Sequence, residues 1–468
     1  MPIGTLGLVI LGGGAAGTGP LIWAAQNGKL EEWLGTGIAI VERSDRMGGG
    51  IGQYMLNADS LAGSFVEFLD PPAARTLFGT LAADPATQQL LAMRGEYPTL
   101  ALVGEHMRSL GSALQSIVTA SPGGSFLPRE AACAIQLRGD DTLAVSLASG
   151  AVLVARAALI ALGGTQDPAS LQGREIAPGL RLGEVAGDKL MPSDVLLTEA
   201  GIAAAEVRLA AAGEARVVII GGSHSAFSAA WVLLNRLRRT RFGTNGVVLL
   251  HRRPPRVFYP SRAAAEADDY PFTEDDICPA TGRVHRMGGL RNDGRELWRR
   301  LSSRPGAEPE PRMRMLGVAD PTLSPAALRR LLDQATLVVP ALGYRLNTLP
   351  VFDAKGRRLA LLADAGGRAV DRLSRLQLQQ GGAIANLFGI GLGSGYRPWG
   401  KMAGEPGFNG QQNSLWLYRN GLGEVIYQGV SAASQRAPGA AAAQSGRALR
   451  GGRAALAEYG PAAAPSDR

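Results

Sequence analysis

Two short stretches combine the residue types and spacing that suit a phosphate: Gly12-Gly13-Gly14-Ala15-Ala16-Gly17 and Gly221-Gly222-Ser223-His224-Ser225-Ala226. Each follows a short apolar run, Leu6 to Leu11 or Val217 to Ile220, and opens a longer helix-like one. At such a turn the missing side chains let the backbone close on a pyrophosphate, whose charge meets the positive end of the following helix. Two such turns in one chain predict two bound dinucleotides.

Around each turn the elements needed to hold it follow in order. After the first comes a helix expected to reach Leu30, a polar insert from Asn27 to Gly35, the strand Gly37-Ile38-Ala39-Ile40-Val41, and then Glu42-Arg43. A carboxylate at that place accepts hydrogen bonds from ribose hydroxyls. Glu42 stands 25 residues beyond Gly17, against a usual spacing of about 20, and the insert accounts for the excess. The second unit has a helix over about Ser225 to Leu237 and the strand Gly246 to Leu250, which ends in His251-Arg252-Arg253 with no acid. Guanidinium groups there suit the extra 2′-phosphate of NADP, which an acid would repel. Solvated loop charges remain the alternative for Arg252 and Arg253. Ser223 and Ala226 stand where the fingerprint has its second and third glycines, and both are small enough for close approach.

Composition narrows the class further. A chain of 468 residues accommodates two or three domains, and 63 glycines suit an α/β protein with many tight turns. The net charge of +8 rests on 44 arginines and only 4 lysines spread along the chain, without the clustered basic and aromatic pattern of a nucleic-acid reader. The densest run, Arg236 to Arg241, falls at the end of the second-unit helix, where cations complement the helix dipole. Cys133 and Cys278 lack the spacing of a redox disulfide, and His106, His224, His251 and His285 are scattered without a metal-binding pattern. No run approaches the roughly 20 apolar residues of a membrane helix, so a soluble cytoplasmic protein without membrane or nucleic-acid partners is expected.

The order of elements predicts one domain inserted into another. Residues 1–190 form the first part of one dinucleotide-binding domain, including a meander of three strands over 131–162 that ends at Gly163-Gly164. Residues 191–334 form the inserted domain, and 335–430 complete the first through Ala335 to Tyr344, the glycine-rich strand Asn386 to Gly393, and a terminal helix. In that helix Leu415, Tyr418, Leu422, Val425 and Ile426 share a face, and Asn409 is its expected cap. Residues 431–468 read as a disordered tail, with a helical turn or two over Arg453 to Tyr459.

These motifs together resemble the FAD- and NADPH-dependent oxidoreductases with two Rossmann-like dinucleotide-binding domains, and most of all the single-component N-hydroxylating flavin monooxygenases. The resemblance spans about residues 5–430 and rests on Gly12-x-Gly14-x-x-Gly17 with Glu42-Arg43, on the second turn, and on Pro340-Ala341-Leu342-Gly343-Tyr344, which is similar to that branch's Ala-Thr-Gly-Tyr motif with leucine for threonine. The Baeyer-Villiger fingerprint is missing. Gly391-Leu392-Gly393 also lacks the aspartate that many relatives place there.

The resemblance implies hydride transfer from NADPH to FAD and hydroxylation of a small-molecule amine through a flavin C4a-peroxide, which needs a dry pocket but no protein nucleophile. It places Gly12, Gly14, Ala15, Ala16, Gly17, Glu42, Arg43, Gly49, Gly391 and Asn409 at FAD, and Gly221, Ser223, His224, Ser225, Arg252, Arg253 and Gly343 at NADPH. The glycine-rich loop Arg46 to Tyr54 is expected over the isoalloxazine. Gln53 and Asn57 are then the candidate catalytic contacts, unless they are turn-forming surface residues. Arg397, Lys401 and Glu405 lie in a loop that lines either the substrate pocket or solvent. A reductase without oxygen insertion and a non-catalytic nucleotide sensor stay open beside the monooxygenase.

Overall fold

The computed structural model describes residues 4–320, 323–364 and 368–435. Two sheets carry the α/β organisation. In the larger, β1 (Leu6–Leu11), β2 (Ile38–Glu42) and β3 (Gly124–Pro128) run parallel, and β4 (Ala132–Leu137), β5 (Leu143–Leu147) and β6 (Val152–Ile160) form the antiparallel meander. β6 joins both halves: its start pairs with β5, and Ala155 to Ile160 lie parallel to β1.

The second sheet is wholly parallel, in the order β9-β8-β7-β10, from β7 (Val217–Ile220), β8 (Val247–His251), β9 (Met313–Gly317) and β10 (Leu337–Pro340). The chain then returns to the first sheet. There β11 (Val351–Phe352) pairs with β4, and β13 (Ala383–Gly389) lies parallel to β6 with β12 (Arg375–Gln377) at its outer side. Alternate residues of the second sheet feed opposite cores, Val217 and Ile219 on one face and Val218 and Ile220 on the other. Burial on both faces is why these strands read as unbroken apolar runs.

Three expectations shift here. The run after Ala335 is β10, which pairs with β7, so the second sheet extends past the boundary expected at 334; an apolar run specifies a buried strand but not its sheet. The first helix, α1 (Ala15–Gln26), stops short of Leu30, because Gly28 takes φ +65° and the supposed polar insert folds as a separate short helix, Leu30–Gly35, with Trp33 buried. The terminal pattern divides into Leu415–Arg419 and the final helix, which runs from Gly421 to Gln435, beyond the expected tail start at Ser431. The rest of that tail, Arg453 to Tyr459 included, lies outside the described residues.

The helices that matter for the site are α2 (Leu100–Ala120), α3 (Glu199–Ala210), α4 (His224–Arg236) and α5 (Asn292–Leu301). Among the described residues no helix is long and apolar enough to cross a membrane.

Candidate functional site

The glycines of the first turn divide into those that fold it and one that leaves room. Gly12 has φ +105°, and a Cβ there would lie 2.5 Å from the Ala161 carbonyl oxygen; one on Gly17 would lie 2.0 Å from that of Gly12. Side chains at either position have nowhere to go. A Cβ on Gly14 would meet nothing closer than Gly49 Cα at 3.9 Å. At this open position α1 begins without a side-chain cap and without an acid in its first turn. The helices α2 and α3, by contrast, are capped by the hydroxyls of Thr99 and Thr198. The start of α1 therefore offers free N–H donors and an unneutralised dipole to a phosphate.

Glu42 stands beside this turn at the end of β2. Its Oε2 accepts from Gly13 N at 2.7 Å, and Oε1 accepts from Ser44 N at 2.9 Å and Ser44 Oγ at 3.0 Å, which fixes the carboxylate while Arg43 points into solvent. The following loop folds back over the turn: Gly48 N donates to Gly13 O at 2.9 Å, and a Cβ on Gly49 would lie 3.2 Å from Gly14 Cα. Gly391, at φ +111°, closes the other side, its Cβ direction meeting Ala16 Cβ at 3.2 Å. Gly14, Ala15, Ala16, Gly49 and Gly391 thus come together around one space, whose donors and acid fit the pyrophosphate and ribose of FAD.

The second turn repeats the plan. Gly221 has φ +148° and stands against Ala341 O, 2.5 Å from its Cβ direction, with Ala226 in the role of Gly17. Helix α4 begins at Ser223 with neither a side-chain cap nor a first-turn acid, which leaves the N–H groups of His224 and Ser225 as its free donors. A Cβ on Gly222 would lie 3.0 Å from His251 Cβ and 3.4 Å from Arg253 O, which sets the Arg252-Arg253 segment against the turn. Both arginines are exposed and form no ion pair among the described residues. Tyr344 beyond Gly343 has its hydroxyl near Ser193 and Ser225, and burial pushes its pKa up. This donor and acceptor set fits NADPH.

His224 and Asn57 sit where the two units meet. His224 Nε2 lies 3.7 Å from Asp59 Oδ2, and burial lowers the imidazole's pKa, so the ring is neutral near pH 7. Asn57 Nδ2 donates to Asp293 Oδ2 at 2.9 Å, while Asn292 Nδ2 returns a bond to Ala58 O at 3.1 Å. The Asn57 amide is thus engaged in holding the units together, whereas Gln53 is exposed beside the loop. Sequence reasoning missed Asp59, Asn292 and Asp293, whose partners are distant along the chain.

Asn409 does not cap the last helices. Ser414 does so, its hydroxyl accepting from Leu417 N. Asn409 instead lines a cleft of about 290 Å³ with Arg345, Arg368, Gly393, Arg397 and Gln411. Glu405, from the same loop, is buried and accepts from Met287 N at 3.2 and 3.1 Å.

Comparison with known proteins gives the family and the fold. The chain is 33% identical over 438 residues, 91% of this chain and 97% of the other, to the CMP-5′-(3-aminopropyl)phosphonate hydroxylase of Streptomyces rubellomurinus. The chain belongs to this family of FAD- and NADPH-dependent monooxygenases. Its fold is that of the ornithine N-hydroxylase of Kutzneria sp. 744, solved with reduced FAD, NADP+ and L-ornithine, at a TM-score of 0.51 and 15% identity over 92% of this chain and 99% of that one. The ornithine hydroxylase of Pseudomonas aeruginosa superposes with a TM-score of 0.52, at 15% identity and the same coverage. No family model matches the chain. The monooxygenase acts on a small molecule.

Proposed function

We propose that this monooxygenase hydroxylates the primary amine of a cytoplasmic small molecule that carries a nucleotide-linked phosphonate. The observation that carries this reading is the 33% identity along nearly the whole chain to a hydroxylase of such a substrate, in a protein whose two glycine turns both open on uncapped helices. Bound FAD supplies a hydride acceptor and a site for oxygen activation. Gly14, Gly49 and the first turn of α1 hold its pyrophosphate, Glu42 its ribose, and Gln53, further along the same loop, meets its ring. Ser223, His224 and Ser225 face the NADPH phosphates, with Arg252 and Arg253 at its 2′-phosphate. The seam closed by Asn57 and Asp293 excludes water, and neutral His224 adds no charge to it.

Incubation of the FAD-loaded enzyme with NADPH, oxygen and CMP-5′-(3-aminopropyl)phosphonate tests this. The expected product is heavier by one oxygen on nitrogen, in step with NADPH consumption. NADPH oxidation that delivers electrons to a quinone, with no oxygenated amine under any condition, would overturn the reading in favour of a reductase.

A further inference from the structure

A second cavity, of about 580 Å³, opens where the two units meet. Its size lies within the range of small-molecule sites. Leu61 and Tyr97 line it from the first unit, and Phe258, Arg291 and Arg295 from the second. Neighbouring cations on the same helix are held differently. Arg299, beside them, is neutralised by Asp268 at 3.0 Å and Glu296 at 3.3 Å, and Arg300 by Glu310 at 2.9 Å. Arg291 and Arg295 form no salt bridge among the described residues, and the carboxylate that acts on Arg291 is the more distant Asp59. They lie on aromatic faces instead, Arg291 at 4.0 Å from the Phe258 ring and Arg295 at 4.5 Å from that of Tyr259. Arg291 also donates to Arg286 O at 2.6 Å, and the Nε of Arg295 is buried without a partner.

The backbone adds a third attraction for an anion. Helix α5 starts at this cavity with Arg291 as its N-cap residue and no side-chain cap. The acid of its first turn, Asp293, is held by Asn57 and opposes part of that attraction. Burial lowers the pKa of Arg291, the mark of a cation set in a poorly solvated place. An anion that brought its own charge would relieve all three at once, and phosphoryl oxygens match the guanidinium fork.

Resting on the function proposed above, we propose that this cavity is the recognition site for the phosphoryl and phosphonyl groups of the substrate, held by Arg291, Arg295 and the start of α5. Asn57, which touches the first turn of α5, is four residues from Gln53, so the chain that meets this helix lies within about 14 Å of chain reach from the residue assigned to the flavin ring. A substrate anchored here by its anionic end presents its amine toward that ring. Neither nucleotide cofactor needs the cavity, since each has its own glycine turn. Specificity for a nucleotide-linked amine over a plain diamine thus resides in two arginines.

Arg291→Gln and Arg295→Gln, made in the FAD-loaded enzyme, test the assignment. Binding of cytidine 5′-monophosphate is measured by equilibrium titration, beside KM and kcat for the CMP-linked amine, KM for NADPH, flavin content and Tm. The dissociation constant for cytidine monophosphate and the KM for the CMP-linked amine should each rise roughly 10- to 100-fold per arginine, with flavin content and the KM for NADPH unchanged. Arg295→Lys should recover part of the loss. Arginine-dependent nucleotide binding in an enzyme that makes no N-oxygenated product would sustain this site while sinking the proposed reaction. Nucleotide binding that is absent, or indifferent to both substitutions, overturns the site even if hydroxylation proceeds. So does an equal rise in the KM for NADPH, since the cavity would then serve the coenzyme. Should Arg291→Gln lower Tm sharply, Arg295→Gln, whose guanidinium has no carboxylate to lose, carries the test alone.

Discussion

Gly14 and Gly17 stand three residues apart in one turn and answer to different constraints. The Cβ direction of Gly14 points into open space, whereas that of Gly17 runs into a backbone oxygen at 2.0 Å. Gly14→Val should therefore leave Tm within a few degrees of the parent while the purified protein loses its flavin absorbance. Gly17→Val should instead lower Tm sharply or prevent folding, because overpacking against backbone has no flexible neighbour to absorb it. Loss of flavin in neither variant would contradict the placement of FAD. The sequence made these glycines legible because turn, strand and helix are contiguous. It did not show that Asn57 reaches Asp293, 236 residues away, since a polar residue in a loop carries no local sign of its partner. Asn409 misled for a related reason: many polar residues precede the last helices, and only the bond from Leu417 N singles out Ser414.

At the scale of elements, α1 and α4 differ from α2 and α3 by the absence of a cap. An uncapped start forgoes about 0.5–2 kcal/mol of helix stability, which a bound phosphate would offset in the proposed assignment. Ser223→Asp should restore that cap in α4 and place a negative charge where the NADPH phosphates bind. The expected outcome is an unchanged or higher Tm without NADPH, together with a KM for NADPH raised at least about tenfold. An unaltered KM would remove the second turn from coenzyme binding. Strand and helix types were legible from periodicity, as β1, β7 and α4 illustrate. Partnerships were not: β10 carries the same apolar signature whether it pairs with β6 or with β7, and only the fold assigns it to the second sheet. The short helix after α1 was missed because Asn27 to Gly35 reads as polar, although its Leu30, Trp33 and Leu34 are buried.

For the whole molecule, the two units are fastened at a few polar points, so their mutual placement is open to perturbation. Glu405 is buried and holds Met287 N, and nearby Arg256 donates to Gly407 O at 3.1 Å. Glu405→Ala leaves that N–H without its partner and should loosen the second unit against the last loop. More NADPH would then be consumed per hydroxylated product while flavin content stays the same; an unchanged ratio would show that this tie does not seal the site. A pH response of the entire fold originates at His106, buried in α2 with Nδ1 2.9 Å from Thr87 Oγ1 and Nε2 3.2 Å from Phe65 O. Burial, with Arg419 nearby, holds its pKa down to about 3, against 6.5 for a free histidine. The unfolded chain therefore takes up a proton that the folded one refuses. The stability that neutral His106 permits is complete above about pH 6.5 and drains away as pH falls toward 3. Chemical denaturation at pH 7.5, 6 and 5 should show the wild-type midpoint falling more steeply than that of His106→Gln, which has no proton to gain. Parallel slopes for the two proteins would place the acid sensitivity of this fold elsewhere.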